Sequence, residues 1–165
     1  AVLDGGLAAW QAAQGAVESG NSPAAEPARF ELGEPLATLT DTASVLVGLG
    51  QASQTVLDAR GAPRYRGEVE PLDPIAGHIP GALNRPFSDN LGPDGRFKPA
   101  AQLQAEFSAL LAGRNPASVV YQCGSGVSAV PNLLAMELAG LGRQALYAGS
   151  WSEWSRTPGL PVEKG

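Results

Sequence analysis

The sequence predicts an α/β fold, with a short parallel β-sheet and helices on both of its faces. Three observations lead to this class. The chain has 165 residues, about the size of one domain. Hydrophobic residues make up 44% of it, which is enough for a buried core. Strand-like segments alternate with helix-like segments, and strands joined by helices form parallel sheets that are covered on both sides.

The composition excludes several classes of protein. The net charge is −5 and the 11 basic residues are scattered, which argues against nucleic-acid partners. The longest apolar stretch, Leu133–Leu141, contains Glu137 and is too short to span a bilayer. One Cys and one His exclude a disulfide framework and a Cys/His metal site within this chain. We expect a cytoplasmic protein with no metal, cofactor or membrane partner.

The first 14 residues resemble a stretch near the other end of the chain. Val2–Trp10 aligns with Leu146–Trp154, and Gly149 then lies over Gly5. Both copies have the pattern of an apolar strand, a glycine turn and the start of an amphipathic helix. A repeat of this length indicates tandem domains, so residues 1–14 are interpreted as the tail of a mostly missing first domain. Chance similarity remains the alternative.

Residues 15–41 have the composition of a linker, rich in Gly, Pro, Ser, Ala and Glu. A short strand is predicted within it at Leu36–Leu39. Asp41 then offers an N-cap for a helix from Thr42 to Gly48. Residues 42–165 are predicted to form the main domain.

The next elements are short. Thr55–Ala59 is a predicted strand that carries the polar residue Asp58 near its end. Pro63–Gly67 is a predicted short helix or turn. The glycine-rich segment Gly77–Gly81 is a compact loop, and a short strand at Ala82–Asn84 follows it.

The second half of the domain repeats the alternation. Apolar residues at helical spacing predict a helix over Ala100–Leu111. Ala117–Gln122 is a predicted strand, and Val127–Leu141 is a helix that is apolar nearly all round and therefore buried. Ala145–Ala148 is the last strand. Ligands of such sheets bind beyond the carboxyl ends of the strands.

The segment around Cys123 is the most informative one for function. Cys123 ends a buried strand, and Gly124 and Gly126 follow before the next helix. Glycines allow a tight loop whose backbone N–H groups point inward, and the helix N-terminus adds partial positive charge. A thiolate held there is stabilised as a nucleophile, and so is a persulfide on the same sulfur. Ser125 and Ser128 could donate hydroxyl hydrogen bonds.

The residues alone allow three other interpretations of this loop. Cys123 could be a buried structural thiol, or the loop could cradle a phosphate without any nucleophile. A cysteine phosphatase needs an arginine six positions after the cysteine, and here that residue is Ala129.

Several motifs, in order, resemble those of the rhodanese superfamily, and in particular its two-domain 3-mercaptopyruvate sulfurtransferases. The resembling segments are the substrate-arginine segment Asp58–Tyr65, the box Gly77–Asn84, the active loop Cys123–Ser128, the C-terminal signature Gly149–Trp154, and Leu3–Trp10 as the same signature of the first domain. The resemblance implies that Cys123 takes a sulfane sulfur from 3-mercaptopyruvate and passes it to cyanide, a thiol or a thioredoxin.

The resemblance also implies roles for individual residues. Cys123 and Ser125 would be catalytic, within an active-site loop completed by Gly124, Gly126, Val127 and Ser128. Arg64 and Arg66 would bind the substrate. Asp58, Arg60 and His78 are expected to support the site structurally. Alternatives to these supporting roles are that His78 acts as a base and that Arg60 contacts the substrate. Trp151 and Trp154 are expected to pack in the core, and the alternative is that they line the substrate cleft.

The sequence departs from the family pattern at three places. The stretch between Arg64 and Gly77 is shorter than usual, and Arg66 is its only basic residue. Ser128 replaces the usual threonine. The first domain, which in the family supplies histidine and aspartate partners to the loop serine, is almost absent. A thiosulfate:cyanide sulfurtransferase and a non-catalytic rhodanese-like binding module are the alternative functions.

Overall fold

A computed structural model describes residues 2–21, 24, 26–31 and 33–165. The parts of the predicted linker at residues 22, 23, 25 and 32 lie outside the described residues. The helices are α1 (Gly6–Ala12), α2 (Thr42–Val47), α3 (Ala62–Tyr65), α4 (Ala100–Leu111), α5 (Val130–Leu138) and α6 (Ser150–Trp154). The strands are β1 (Leu39–Thr40), β2 (Thr55–Asp58), β3 (Leu83–Asn84), β4 (Val119–Gln122) and β5 (Ala145–Tyr147).

The five strands form one parallel sheet in the order β1-β5-β4-β2-β3, which confirms the predicted fold class. Its centre is β4, between β2 and β5, and every residue of β2 and β4 is buried. The register pairs Asp58 with Gln122. The chain therefore leaves both central strands at the same level of the sheet, with Cys123 directly after β4.

Helices cover both faces of the sheet. Leu57 and Tyr121 face α4 and α5, where Phe107 and Met136 share their core cluster. The alternate strand residues Val56 and Val120 form a second cluster on the opposite face, with Val45 of α2 and with Trp151 and Trp154 of α6. Both tryptophans are fully buried, in accordance with the core interpretation.

One helix begins where the sequence predicts, whereas a strand and another helix begin later than predicted. Asp41 caps α2 as predicted, its carboxylate accepting the Ser44 N–H at 2.8 Å. The first strand is β1, later than the predicted Leu36–Leu39, because its partner β5 aligns with Leu39 and Thr40. Helix α5 begins at Val130 and not at Val127.

The N-terminal segment forms a helix but no strand. Residues 2 and 3 belong to no strand, and α1 begins at Gly6. The Asp4 carboxylate accepts the backbone N–H of Phe97 at 2.9 Å, which anchors the segment to the main domain. The division into a first-domain tail, a linker and a catalytic domain stays a prediction.

Candidate active site

Cys123 is fully buried at the carboxyl end of β4, and the start of α6 holds its backbone. The Cys123 N–H donates to Ser150 Oγ at 3.1 Å, and the Cys123 carbonyl accepts the Trp151 N–H at 3.0 Å. The next carbonyl, of Gly124, accepts the Ser152 N–H at 2.8 Å. Three hydrogen bonds therefore fix the backbone that carries the thiol.

Ser150 has a backbone conformation that is unusual for a residue with a side chain. Its φ is 54°, in the left-handed region, and it is fully buried. Its hydroxyl donates to the Tyr147 carbonyl at 2.9 Å while accepting the Cys123 N–H. Sequence reasoning missed this residue, although its counterpart in the N-terminal repeat is Gly6, a residue type that favours this conformation.

The loop after Cys123 is a cradle of backbone N–H groups. Gly126 has φ 82°, and a Cβ on it would lie 2.4 Å from the Ala148 carbonyl oxygen, so only glycine fits there. In the described part of the chain, no acceptor receives a hydrogen bond from the backbone N–H groups of residues 124–128. The side chain of Val127 is 74% exposed. The loop therefore offers unpaired donors to an anion beside Cys123.

Arg64, which the resemblance gives as a substrate-binding residue, lies against this loop. Its Nη1 is 3.4 Å from the position that a Cβ on Gly124 would occupy. Glu70 binds the other side of the guanidinium, accepting from Nη2 at 2.6 Å and from Nε at 3.2 Å. Within the described residues Nη1 has no acceptor. Arg64 therefore presents a free donor near the loop.

Among the described residues, the Arg66 side chain forms no hydrogen bond with the loop after Cys123. Its guanidinium donates to both oxygens of Glu68, at 2.6 and 3.1 Å, and both side chains are substantially exposed. The prediction that Arg66 binds substrate gains no support from this placement.

The residues that were expected to support the site form a buried framework. Arg60 binds both oxygens of Asp58, with a shortest distance of 2.6 Å, and stacks over Trp151. It also donates to the carbonyl of Gly77, next to His78. These contacts agree with a structural role for Asp58 and Arg60.

His78 braces the segment that carries Arg64. Its ring stacks on Tyr65 with the centroids 3.8 Å apart, and its Nδ1 lies 2.8 Å from the Tyr65 carbonyl oxygen. Its Nε2 is 3.7 Å from a carboxylate oxygen of Glu163. The ring face and Nδ1 of His78 therefore contact structural partners, in agreement with the bracing interpretation.

One cavity on the surface lies away from Cys123. It has a volume of about 630 Å³ and lies where β2 begins, lined by residues that include Gln51, Thr55 and Arg114, whereas Cys123 follows the opposite end of the sheet. In the described part of the chain, no group of three or more His, Cys, Asp or Glu residues could hold a metal ion. No described helix is long and apolar enough to cross a membrane.

Residues 41–157 match the rhodanese-like domain family. The chain belongs to this family. A Pseudomonas aeruginosa protein named "Probable 3-mercaptopyruvate sulfurtransferase" is 54% identical over 165 residues, which are 99% of this chain. The 3-mercaptopyruvate sulfurtransferase of Escherichia coli is 36% identical over 98% of the chain. A Mycobacterium tuberculosis protein named provisionally as a thiosulfate sulfurtransferase is 41% identical over 99% of the chain.

This chain spans 57% of the length of each of these relatives. Among solved structures, the wild-type structure of EanB superposes with a TM-score of 0.86 at 23% identity, covering 99% of this chain and 40% of that one. This likeness shows the fold alone. The family match leaves out residues 1–40, which contain the N-terminal repeat and nearly all of the predicted linker.

Proposed function

We propose that this chain is the catalytic part of a sulfurtransferase that carries sulfur as a persulfide on Cys123. The observation that carries the proposal is the position of Cys123, at the end of the central strand, next to unpaired loop N–H groups and the free Nη1 of Arg64. Such donors stabilise a thiolate and the charged sulfur that a persulfide bears. The names of the relatives support the same chemistry.

The preferred donor is 3-mercaptopyruvate. The Cys123 thiolate attacks the donor sulfur, and the bond between that sulfur and carbon breaks. The electron pair of this bond goes to the carbon, which takes up the proton released from the donor thiol and leaves as pyruvate. The Cys123 persulfide then gives its outer sulfur to cyanide, a thiol or a thioredoxin, and the thiolate returns. Arg64 binds the donor carboxylate, and Ser125 relays the proton.

Thiosulfate is the second candidate donor. Here the thiolate attacks the outer sulfur and sulfite leaves with the electron pair of the S–S bond. The name of the Mycobacterium tuberculosis relative, which refers to thiosulfate, supports this donor. The uncharged side chains of the loop residues 124–128 favour 3-mercaptopyruvate, because no lysine or arginine in the loop itself attracts a dianion.

We also propose that a preceding domain completes the site, and the N-terminal repeat supports this. Gly6 and Ser150, equivalent in the repeat, both have a left-handed φ, of 59° and 54°, and each begins a helix. In α6 the core residues Trp151 and Trp154 are fully buried, but their counterparts Leu7 and Trp10 in α1 are 60% and 43% exposed. The exposed apolar side chains of α1 support the proposal that this helix packs against a preceding domain.

The experiment is thiocyanate production from cyanide, with 3-mercaptopyruvate and thiosulfate as parallel donors and Cys123→Ser as the blank. The chain is assayed alone and after addition of a preceding domain from the longer protein. We expect Cys123-dependent turnover that favours 3-mercaptopyruvate. Preference for thiosulfate would select the second donor. If neither donor gives turnover in either form, a non-catalytic binding module replaces the enzyme.

A further inference from the structure

A cluster of alternating charges lies beside the active loop. Its members are three arginines and three carboxylates: Arg60, Arg64, Arg156, Asp58, Glu70 and Asp73. Asp58 and Arg60 form the buried pair already described. Glu70 and Asp73 are then the carboxylates available to the two arginines nearer the surface, Arg64 and Arg156.

Glu70 is the buried centre of the cluster. Besides Arg64, it accepts hydrogen bonds from Arg60 Nη1 at 3.4 Å and from the backbone N–H groups of Leu72 and Asp73 at 3.1 and 3.2 Å. Burial opposes its ionisation, but the hydrogen bond from Arg64, the backbone N–H groups of Leu72 and Asp73, and the Arg64 charge outweigh burial and lower the pKa of Glu70 below its usual value. Glu70 is therefore negative at neutral pH.

Asp73 is a shared counter-ion between the two outer arginines. Its Oδ1 lies 2.8 Å from Arg156 Nη1 and its Oδ2 lies 3.4 Å from Arg64 Nη2, with only 2% of the Asp73 side chain exposed. Arg156 Nη1 also donates to the Ser152 carbonyl at 2.9 Å, and the Ser152 N–H binds the carbonyl of Gly124. Arg156 is thereby tied to the active loop.

The charges of this outer group cancel. Arg64 and Arg156 contribute +2, and Glu70 and Asp73 contribute −2. An anion that binds at the free Nη1 of Arg64 is therefore next to a hydrogen-bond donor whose positive charge is balanced by neighbouring carboxylates. The Coulomb energy of an anion in a given potential is proportional to its charge, and the dehydration of a dianion costs more than that of a monoanion.

We propose that Glu70 and Asp73 act as a charge filter, by which the site prefers monoanionic carboxylate donors to dianions such as thiosulfate. The proposal rests on the proposed function, since it sets the donor preference of the same site. It assigns specificity to two acidic residues and to Arg156. The donor itself touches Arg64 and the loop.

Two opposite substitutions test the filter. Asp73→Asn removes one negative charge, and Arg156→Gln removes one positive charge. A unit charge about 7 Å from a bound monoanion, at an effective dielectric constant of about 60, changes its affinity about three- to fivefold, and that of a dianion by the square of this factor. The thiosulfate to 3-mercaptopyruvate ratio of kcat/KM should therefore rise about three- to fivefold in Asp73→Asn and fall by the same factor in Arg156→Gln.

The matched control is Glu68→Gln. Glu68 lies in the same acidic segment, and its substitution changes the net charge equally, but its partner is the exposed Arg66. We expect its donor ratio to stay within twofold of the wild-type ratio. Arg156 is 54% exposed, so Arg156→Gln keeps the test available if Asp73→Asn does not fold. Thermal unfolding shows which variants are folded.

A binding measurement separates this proposal from the proposed function. In the Cys123→Ser protein, calorimetry gives the dissociation constants of pyruvate and thiosulfate with and without Arg156→Gln. The filter predicts that the change in log Kd for thiosulfate is twice that for pyruvate. Equal changes for both anions, or an equal shift of the donor ratio in Glu68→Gln, would overturn it. Absence of a Cys123 persulfide with either donor would instead overturn the proposed function.

Discussion

The hydroxyl and the strained backbone of Ser150 make separable contributions, and two substitutions distinguish them. Ser150→Ala removes the acceptor of the Cys123 N–H and the donor to the Tyr147 carbonyl but keeps the left-handed conformation at a residue with a Cβ. Ser150→Gly removes the same hydrogen bonds and also relieves the backbone strain. The difference between the two variants therefore isolates the strain.

The magnitudes follow from burial. A buried N–H left without an acceptor costs about 1–3 kcal/mol, so we expect Ser150→Ala to lower the unfolding free energy by about 2–3 kcal/mol. A left-handed conformation costs a residue with a Cβ about 1–2 kcal/mol relative to glycine. Ser150→Gly should therefore be about 1 kcal/mol more stable than Ser150→Ala, opposite to the usual order of Ala and Gly in helices.

The assay is urea unfolding of both variants, together with the rate at which iodoacetamide alkylates Cys123. Because Cys123 is fully buried and its backbone loses one of its anchors in each variant, we expect faster alkylation in both. If Ser150→Ala proves as stable as Ser150→Gly, the strain argument is refuted. If alkylation is unchanged in both variants, the hydroxyl does not position the thiol.

Three further predictions concern other parts of the site and its framework. Both amide atoms of Gln122 are buried without a partner among the described residues, so Gln122→Met should raise the unfolding free energy by about 1 kcal/mol; a decrease in a urea titration would contradict this. Gly126→Ala should slow persulfide formation at least about tenfold, measured by mass spectrometry, because its Cβ meets the Ala148 carbonyl. Burial opposes the ionisation of Glu106, but its hydrogen bonds to Arg85, Gln102 and Lys98 lower its pKa from 4.5 to about 2. A carboxylate whose pKa is lowered by folding stabilises the fold above its unfolded-state pKa, so Glu106→Gln should lower the unfolding free energy by about 1–2 kcal/mol at pH 7. This difference from wild type should shrink as the pH falls from 4.5 to 2. A difference that stays constant over this range would contradict the argument.

The sequence predicted the elements that local periodicity determines. The helix over Ala100–Leu111 was found with its observed bounds, because its apolar residues recur on one face. The start of α5 was predicted three residues early, at Val127 and not at Val130. Apolar residues occur on both sides of that boundary, so the apolar pattern does not mark the first residue of the helix.

The site divides in the same way. The place of Cys123 at the end of a strand could be read from the sequence, because strand, glycines and helix are consecutive. The partner of each arginine could not. Arg66 is bound by its neighbour Glu68, whereas Arg64 is bound by Glu70 and Asp73 through a turn whose shape depends on the fold. Residues 66–73 carry opposing charges, but the sequence does not reveal which of them form ion pairs beside the loop.

The two copies of the terminal repeat give a reason for the strain at Ser150. Both copies place the first residue of a helix in the left-handed region, and at that position the N-terminal copy has Gly6, for which the conformation is inexpensive. The C-terminal copy has a serine in spite of the cost, and its hydroxyl binds the N–H of Cys123. The costly residue thus stands in the copy that contacts the cysteine, as expected if the hydroxyl serves the thiol. Ser150→Gly would then combine a smaller loss of stability with the faster alkylation predicted above.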